Sequence, residues 1–172
     1  MQDMIRLIEP AIPGLRRYAN ALVRDAAEAD DLVQDSLERA VARWGQRRAD
    51  GDTRSWLYAI LHNLAVSRWR SRRRRGPAIS IDAVDPTFLS VPPAQEQGLA
   101  RSDILRALDR LPEEYRTVIL LVTVEELSYA EAARVLDVPV GTVMSRLSRG
   151  RARLAAAMAE NAPPARQLRR VK

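Results

Sequence analysis

An all-α protein of two small helical domains, joined by a proline-rich flexible linker, is what this sequence predicts on three observations. Apolar residues recur three and four apart through most of the chain, the spacing of a helix face. The segment 76–97 breaks that pattern with Pro77, Pro86, Pro92 and Pro93, shows little periodicity and holds no basic residue. The run 117–124 is β-branched and could pass for a strand, but it follows a helix start signal and has no second strand to pair with. The expected organisation is a domain over 1–75, a linker over 76–97, a domain over 98–160 and a disordered basic tail over 161–172.

A first helix is expected over 4–24, firm from about Gly14 because Pro10 and Pro13 unsettle its beginning. Leu15, Tyr18, Ala19, Leu22 and Val23 form its apolar stripe. Asp25 or the alanines after it start a second helix, with Leu32, Val33, Leu37, Ala40, Val41 and Trp44 on its inner side. Its opposite side is acidic, with Glu28, Asp30, Asp31, Asp35 and Glu38. Segment 45–52 is a polar loop. Asp52 or Thr53 then caps a third helix through Arg75, whose Trp56, Leu57, Ile60, Leu61, Leu64 and Trp69 fall on or near one side.

That helix ends in WRSRRRR. Arginines there can hold phosphates while tryptophans stack on unpaired bases. On the residues alone the preferred reading is that Trp56 and Trp69 are core, and the arginines a solubilising end where positive charge suits the helix dipole. His62, the only histidine, has no partner for metal or nucleophile work and is expected as a partly buried surface side chain.

Past the linker, helical pattern resumes near Leu99 with Ile104, Leu105, Leu108 and Leu111. Pro112-Glu113-Glu114 is a helix start, with proline in the first turn and acids against the dipole. The segment 128–154, SYAEAARVLDVPVGTVMSRLSRGRARL, is the most informative of all. Ser128 and Glu131 make a capping-box pattern, and Ala132, Ala133, Val135 and Leu136 give a short buried stripe. Asp137-Val138-Pro139 interrupts the helix, and a second one restarts near Val140 or Gly141 with Val143, Leu147 and Leu154 inward. Its free side carries Thr142, Ser145, Arg146, Ser148, Arg149, Arg151 and Arg153. Two helices about a tight turn, the second polar and basic outside, read as a helix-turn-helix that places hydroxyls and arginines in a major groove.

Composition narrows the class further. The 172 residues carry a formal net charge of +6, and Lys172 is the only lysine. Residues 1–75 hold 15 basic and 10 acidic side chains, and 76–97 hold none and three. Residues 98–160 hold nine of each, and 161–172 add four basic groups, so two basic segments flank an acidic joint. There is no cysteine, no phosphate-binding glycine loop, no metal-ligand spacing and no nucleophile-base pair, so no enzyme, metal or cofactor is expected. The N-terminal MQDMIRLIEP lacks signal-peptide character and no apolar run nears a membrane span, so a soluble, cytoplasmic chain is expected.

Together, four segments in order resemble the extracytoplasmic-function sigma factors, the small promoter-recognition subunits of bacterial RNA polymerase. AEADDLVQDSLERAVARW resembles the family's polymerase-binding second-region helix, and TRSWLYAILHNLAVSRWRSRRRR its strand-opening, minus-ten-reading segment. LDRLPEEYRTVILL and segment 128–154 resemble the two parts of its fourth region, which reads the minus-thirty-five element. The resemblance covers about residues 9–158. It implies core polymerase (β′ clamp helices and β flap), promoter DNA and an anti-sigma factor as partners, with no membrane insertion of the chain's own.

By position, the resemblance assigns Asp31, Leu32, Gln34 and Asp35 to core-polymerase binding. Trp56, Asn63, Arg68 and Arg70 fall to the minus-ten element, Asn63 at the pocket for a flipped-out base. Thr142, Ser145, Arg146, Ser148 and Arg149 fall to the minus-thirty-five element. It also favours the DNA-facing reading of 68–75. Asp137 departs from the pattern where the turn usually has Gly, and Met144 and Ser148 depart where a basic and a bulkier side chain are common. A 22-residue linker reaches at most roughly 70 Å at about 3.3 Å per residue. Elements some 20 base pairs apart are on the order of 70 Å apart at ~3.4 Å per pair, so the domains themselves must cover part of the gap. The alternative is a stand-alone helix-turn-helix regulator that binds duplex DNA without polymerase.

Overall fold

The computed structural model describes residues 2–47, 51–75 and 104–161, and every regular element among them is helical. The linker over 76–97 and the tail beyond 161 lie outside the described residues.

The chain opens earlier than expected, and in two pieces. Helix α1 (Gln2–Ile8) passes through a 3₁₀ turn (Glu9–Ala11) into α2 (Ile12–Val23). Pro10 and Pro13 each sit in the first turn of their piece, where a missing N–H loses nothing. Arg24 ends α2 in the left-handed region at φ 61°, donating its N–H to the Asn20 carbonyl at 3.0 Å. Asp25 then caps α3 (Ala26–Ala42) by accepting the Glu28 N–H at 2.7 Å. Asp52, not Thr53, caps α4 (Thr53–Arg75): its carboxylate accepts the N–H groups of Arg54 at 3.1 Å and Ser55 at 2.8 Å.

Helices α2, α3 and α4 pack on one another around Leu15, Tyr18, Leu32, Val33, Leu57, Leu61 and Leu64, all buried. Three apolar residues expected inside are exposed: Val41 by 50 %, Trp69 by 44 % and Ile104 by 39 %. Val41 stands at the end of α3, where a periodic stripe runs past the partner that would cover it, and Trp69 lies in the last turns of α4 on the lining of a groove.

The C-terminal half holds helix α5, described over 104–110, then α6 (Glu113–Ile119) opened by Pro112. The β-branched run continues α6 as expected, but through a π-helical turn, Leu120–Val124, in which the Glu125 N–H reaches back five residues to the Leu120 carbonyl at 2.9 Å. Helix α7 (Tyr129–Leu136) starts on the full capping box: Ser128 Oγ accepts the Glu131 N–H, and Glu131 accepts the Ser128 N–H. Asp137 takes the left-handed turn position at φ 52°, doing the work usually left to Gly. Helix α8 (Val140–Asn161) then lies across α6 with Val143 and Leu147 buried. A Cβ on Gly150 of α8 would stand 3.1 Å from Ile119 Cδ1 and 3.2 Å from Tyr115 Cβ, so glycine sets this close crossing.

Candidate nucleic-acid interface

The acidic side of α3 presents Asp31 and Gln34 to solvent, with Gln34 Nε2 donating to Glu38 Oε1 at 3.0 Å. Asp35 is half-buried and accepts from Arg68 Nη2 at 2.6 Å. Arg72 pairs likewise with Glu28. Leu32 has to be corrected: it is 0 % exposed, on the inner side of α3 among the core residues, and has no surface to offer a partner.

On α4 the expected minus-ten residues divide. Trp56, Asn63 and Arg70 are seven residues apart and so share one side of the helix. Asn63 and Arg70 are exposed, while Trp56 is half-buried edge-to-face on Trp44 with ring centroids 6.0 Å apart. An amide that both donates and accepts, beside a flat ring and a guanidinium, suits an unpaired base and its phosphate. Arg68 is not part of that group, being turned to α3 and held there by Asp35.

On α8, Ser145, Ser148 and Arg149 are exposed together on the side away from Val143 and Leu147. Thr142 is half-buried, and its carbonyl accepts from Ser145 Oγ at 3.1 Å. Arg146 lies one step round the helix and pairs with Glu114 at 3.6 Å. Arg153 is placed over the Tyr115 ring, 4.7 Å from its centroid, so it belongs to the packing of α8 on α6.

Reading the sequence missed Glu125, which is 1 % exposed. Tyr58 Oη donates to its Oε2 at 2.6 Å, and Arg17 donates from Nη2 to Oε2 at 2.9 Å and from Nε to Oε1 at 3.2 Å. Arg54 Nη2 donates to the Glu125 carbonyl at 2.6 Å. Burial and the Glu125 carboxylate push the Tyr58 phenol well up. Two signals were available: the acidic pair Glu125-Glu126 closing the apolar run LLVTV, and Gly14 inside a helical pattern. His62 is also better partnered than expected, its Nδ1 lying 3.1 Å from Tyr18 Oη, and burial lowers it to about 4.

Among the described residues no group of three His, Cys, Asp or Glu side chains could hold a metal ion, and no helix is long and apolar enough to cross a membrane. The arrangement offers two donor-rich surfaces on long helices and one acidic surface.

Comparison with known proteins agrees with this picture in both halves. Among protein-family models, the Sigma2 domain of PhyR matches residues 8–62 and Sigma-70, region 4 matches 101–154. The chain is 36 % identical over 149 residues to the ECF RNA polymerase sigma factor EcfG of Rhodopseudomonas palustris, covering 85 % of this chain and 80 % of the relative. It is 35 % identical over 139 residues to the RNA polymerase sigma-H factor of Pseudomonas aeruginosa, covering 75 % and 72 %. Among solved structures it superposes on the sigma factor RpoE of Bartonella quintana, in complex with the anti-sigma factor NepR. The TM-score is 0.80 at 29 % identity, covering 94 % of this chain and 100 % of that one. CnrH in complex with the cytosolic domain of CnrY gives 0.70 at 25 % identity, covering 94 % and 90 %.

Proposed function

This chain belongs to the extracytoplasmic-function (ECF) sigma factors of bacterial RNA polymerase, and on that premise we propose how its parts divide the work. As a sigma factor it binds core polymerase and directs promoter-specific initiation. The acidic side of α3, Asp31 and Gln34 with the half-buried Asp35, docks on the polymerase clamp. The Trp56–Asn63–Arg70 side of α4 receives an unpaired base of the minus-ten element, and Ser145, Ser148 and Arg149 of α8 read duplex at the minus-thirty-five element. Thr142 and Arg146 position α8 against phosphates. Residues 1–75 and 98–160 are thus two working units on either side of the 76–97 linker. Catalysis belongs to the polymerase, and the chain works beside it in the cytoplasm.

The observation that carries this reading is the pair of exposed donor surfaces on two different helices of one chain, α4 and α8. A stand-alone duplex reader needs only the second. An anti-sigma partner is supported by analogy with RpoE, which is solved in complex with one. The test is run-off transcription from a genomic fragment library with purified chain and core polymerase. Discrete transcripts that require both components are expected. Tight, selective duplex binding by the chain alone, with no transcripts, would return the stand-alone regulator.

A further inference from the structure

Glu125 is left without a task by the promoter reading, yet its surroundings are more specific than packing requires. A carboxylate withdrawn from water is costly unless charged and hydrogen-bonding groups replace the water. Apart from the Leu120 carbonyl, which takes its backbone N–H, the partners named above are side chains from the other half of the chain: Arg17 of α2, and Arg54 and Tyr58 of α4. Arg54 Nη2 also stands 3.7 Å from Oε2, so two guanidiniums face one carboxylate. Gly14 of α2 forms the floor. A Cβ there would lie 2.3 Å from Tyr58 Oη and 2.6 Å from Glu125 Oε2. Glycine inside a helix is unfavourable in itself, and this socket gives the position a reason. A second tie runs from Arg24 to Asp109, with Nη2 on the carbonyl at 2.6 Å and Nε 3.0 Å from Oδ1. Helix α7 lies on α4 alongside these contacts.

The geometry has a consequence for promoter engagement. Helix α7 has eight residues, about 12 Å at ~1.5 Å per residue, and α8 begins four residues after α7 ends. Trp69 of α4 and Arg146 of α8 accordingly line one groove of about 410 Å³. The two reading helices are held on either side of α7, which packs on both. Two promoter elements some 20 base pairs apart are roughly 70 Å from each other at ~3.4 Å per pair, and no duplex could meet both surfaces at once here.

We propose that Glu125 bolts the chain in a closed state too short to span a promoter, and that withdrawing it from the Arg17–Tyr58–Arg54 socket is the step that admits promoter DNA. The consequence rests on the sigma-factor reading. The bolt itself does not.

The test uses the full chain, whose lack of cysteine allows two defined labels, at Arg43→Cys and Ala156→Cys, both exposed positions. Energy transfer between them is measured for the otherwise native chain, for Glu125→Ala and for Gly14→Ala, which forces the socket from the opposite side. Circular dichroism checks that each variant keeps its helices. Both variants are expected to move the labels apart, with the separated population up at least tenfold and Glu125→Gln intermediate. With limiting chain, core polymerase and a responsive template, both should raise run-off transcript several-fold. Unchanged transfer in helical, folded variants would overturn the bolt. Longer separation with unchanged transcription would overturn its role in admitting the promoter. No transcript from any version, with a polymerase preparation active with another sigma factor, would overturn the sigma reading and the promoter consequence, while energy transfer would still judge the bolt.

Discussion

The two long helices α4 and α8 both carry arginines, and they hold them in different ways. On α4, Arg68 and Arg72 are tied to Asp35 and Glu28 of α3, and Arg54 is tied across to the Glu125 backbone. On α8, Arg149 projects from an exposed side, while Arg146 is paired with Glu114. Helix α4 has acidic neighbours because it packs in the middle of a bundle, and each of them fixes an arginine. Helix α8 crosses α6 over Gly150 and leaves a whole side uncovered. An arginine count along a helix therefore says little about which arginines can meet DNA. The carboxylates packed beside the helix decide it.

The largest effect is expected where that contrast can be broken outright. Reversing Asp31 and Asp35 to Arg removes two acids from that side of α3 and sets a positive charge against Arg68. Core-polymerase affinity should fall on the order of a hundredfold, since truncated or reversed charge pairs at interfaces are worth about 2–5 kcal/mol. Titration of labelled core decides it, with helix content as control. Normal affinity would take polymerase docking away from α3.

Next is the anchoring of α4 itself. His62 is lowered to about 4 by burial, with Glu113, Glu114 and Arg146 around the same groove and Tyr18 on its ring. Its folded value is below its unfolded value of about 6.5, so the unfolded chain takes up a proton first as pH falls. Its contribution is therefore unchanged above pH 6.5 or so and is lost between there and about 4, by up to about 3 kcal/mol. Urea unfolding across that range should show the loss, and His62→Gln should flatten it. Parallel curves for the two chains would mean that His62 is wetter than its surroundings imply.

The third prediction sharpens the α8 side. Arg149→Ala should cost about 1–3 kcal/mol on the preferred upstream element and relax one base pair. Arg146→Ala, which also frees Glu114, should weaken all sequences alike and lower the salt slope by about one. Initiation across an upstream-element library at two salt concentrations separates them. Exchanged behaviour would exchange the roles. The smallest effect is at the cap: Ser128→Ala removes half of the box that starts α7 and should lower stability by about 1 kcal/mol in thermal or urea melts. A neutral result would show α7 held by its packing on α4 alone.

Local chemistry was legible in the sequence, and this is why the helix-turn-helix was. Ser128 and Glu131, Asp137 and Pro139 act on residues within a turn of themselves, so their pattern and their structure coincide. Asp25 and Pro112 were legible on the same ground. Exposure was read less well, because periodicity defines a helix side but not where the neighbouring helix stops. Val41 and Trp69 fell on the inner stripe and remain in water, while Leu32, offered as a contact, is sealed in. The pairing of Glu125 was out of reach, whatever local signals marked the residue: its partners Tyr58 and Arg17 are 67 and 108 residues away, and no spacing rule links them.

The π turn Leu120–Val124 makes this last contact depend on counting. One residue more than an α-helix needs is accommodated before Glu125, and a helix turns about 100° per residue. Removing a single residue from that turn would leave composition and hydropathy almost untouched, yet swing the following side chain about a quarter of a revolution. Relatives that differ here by one residue in length would then differ in whether their halves are tied together, and an alignment that closes the gap silently would pair a bolted chain with an unbolted one.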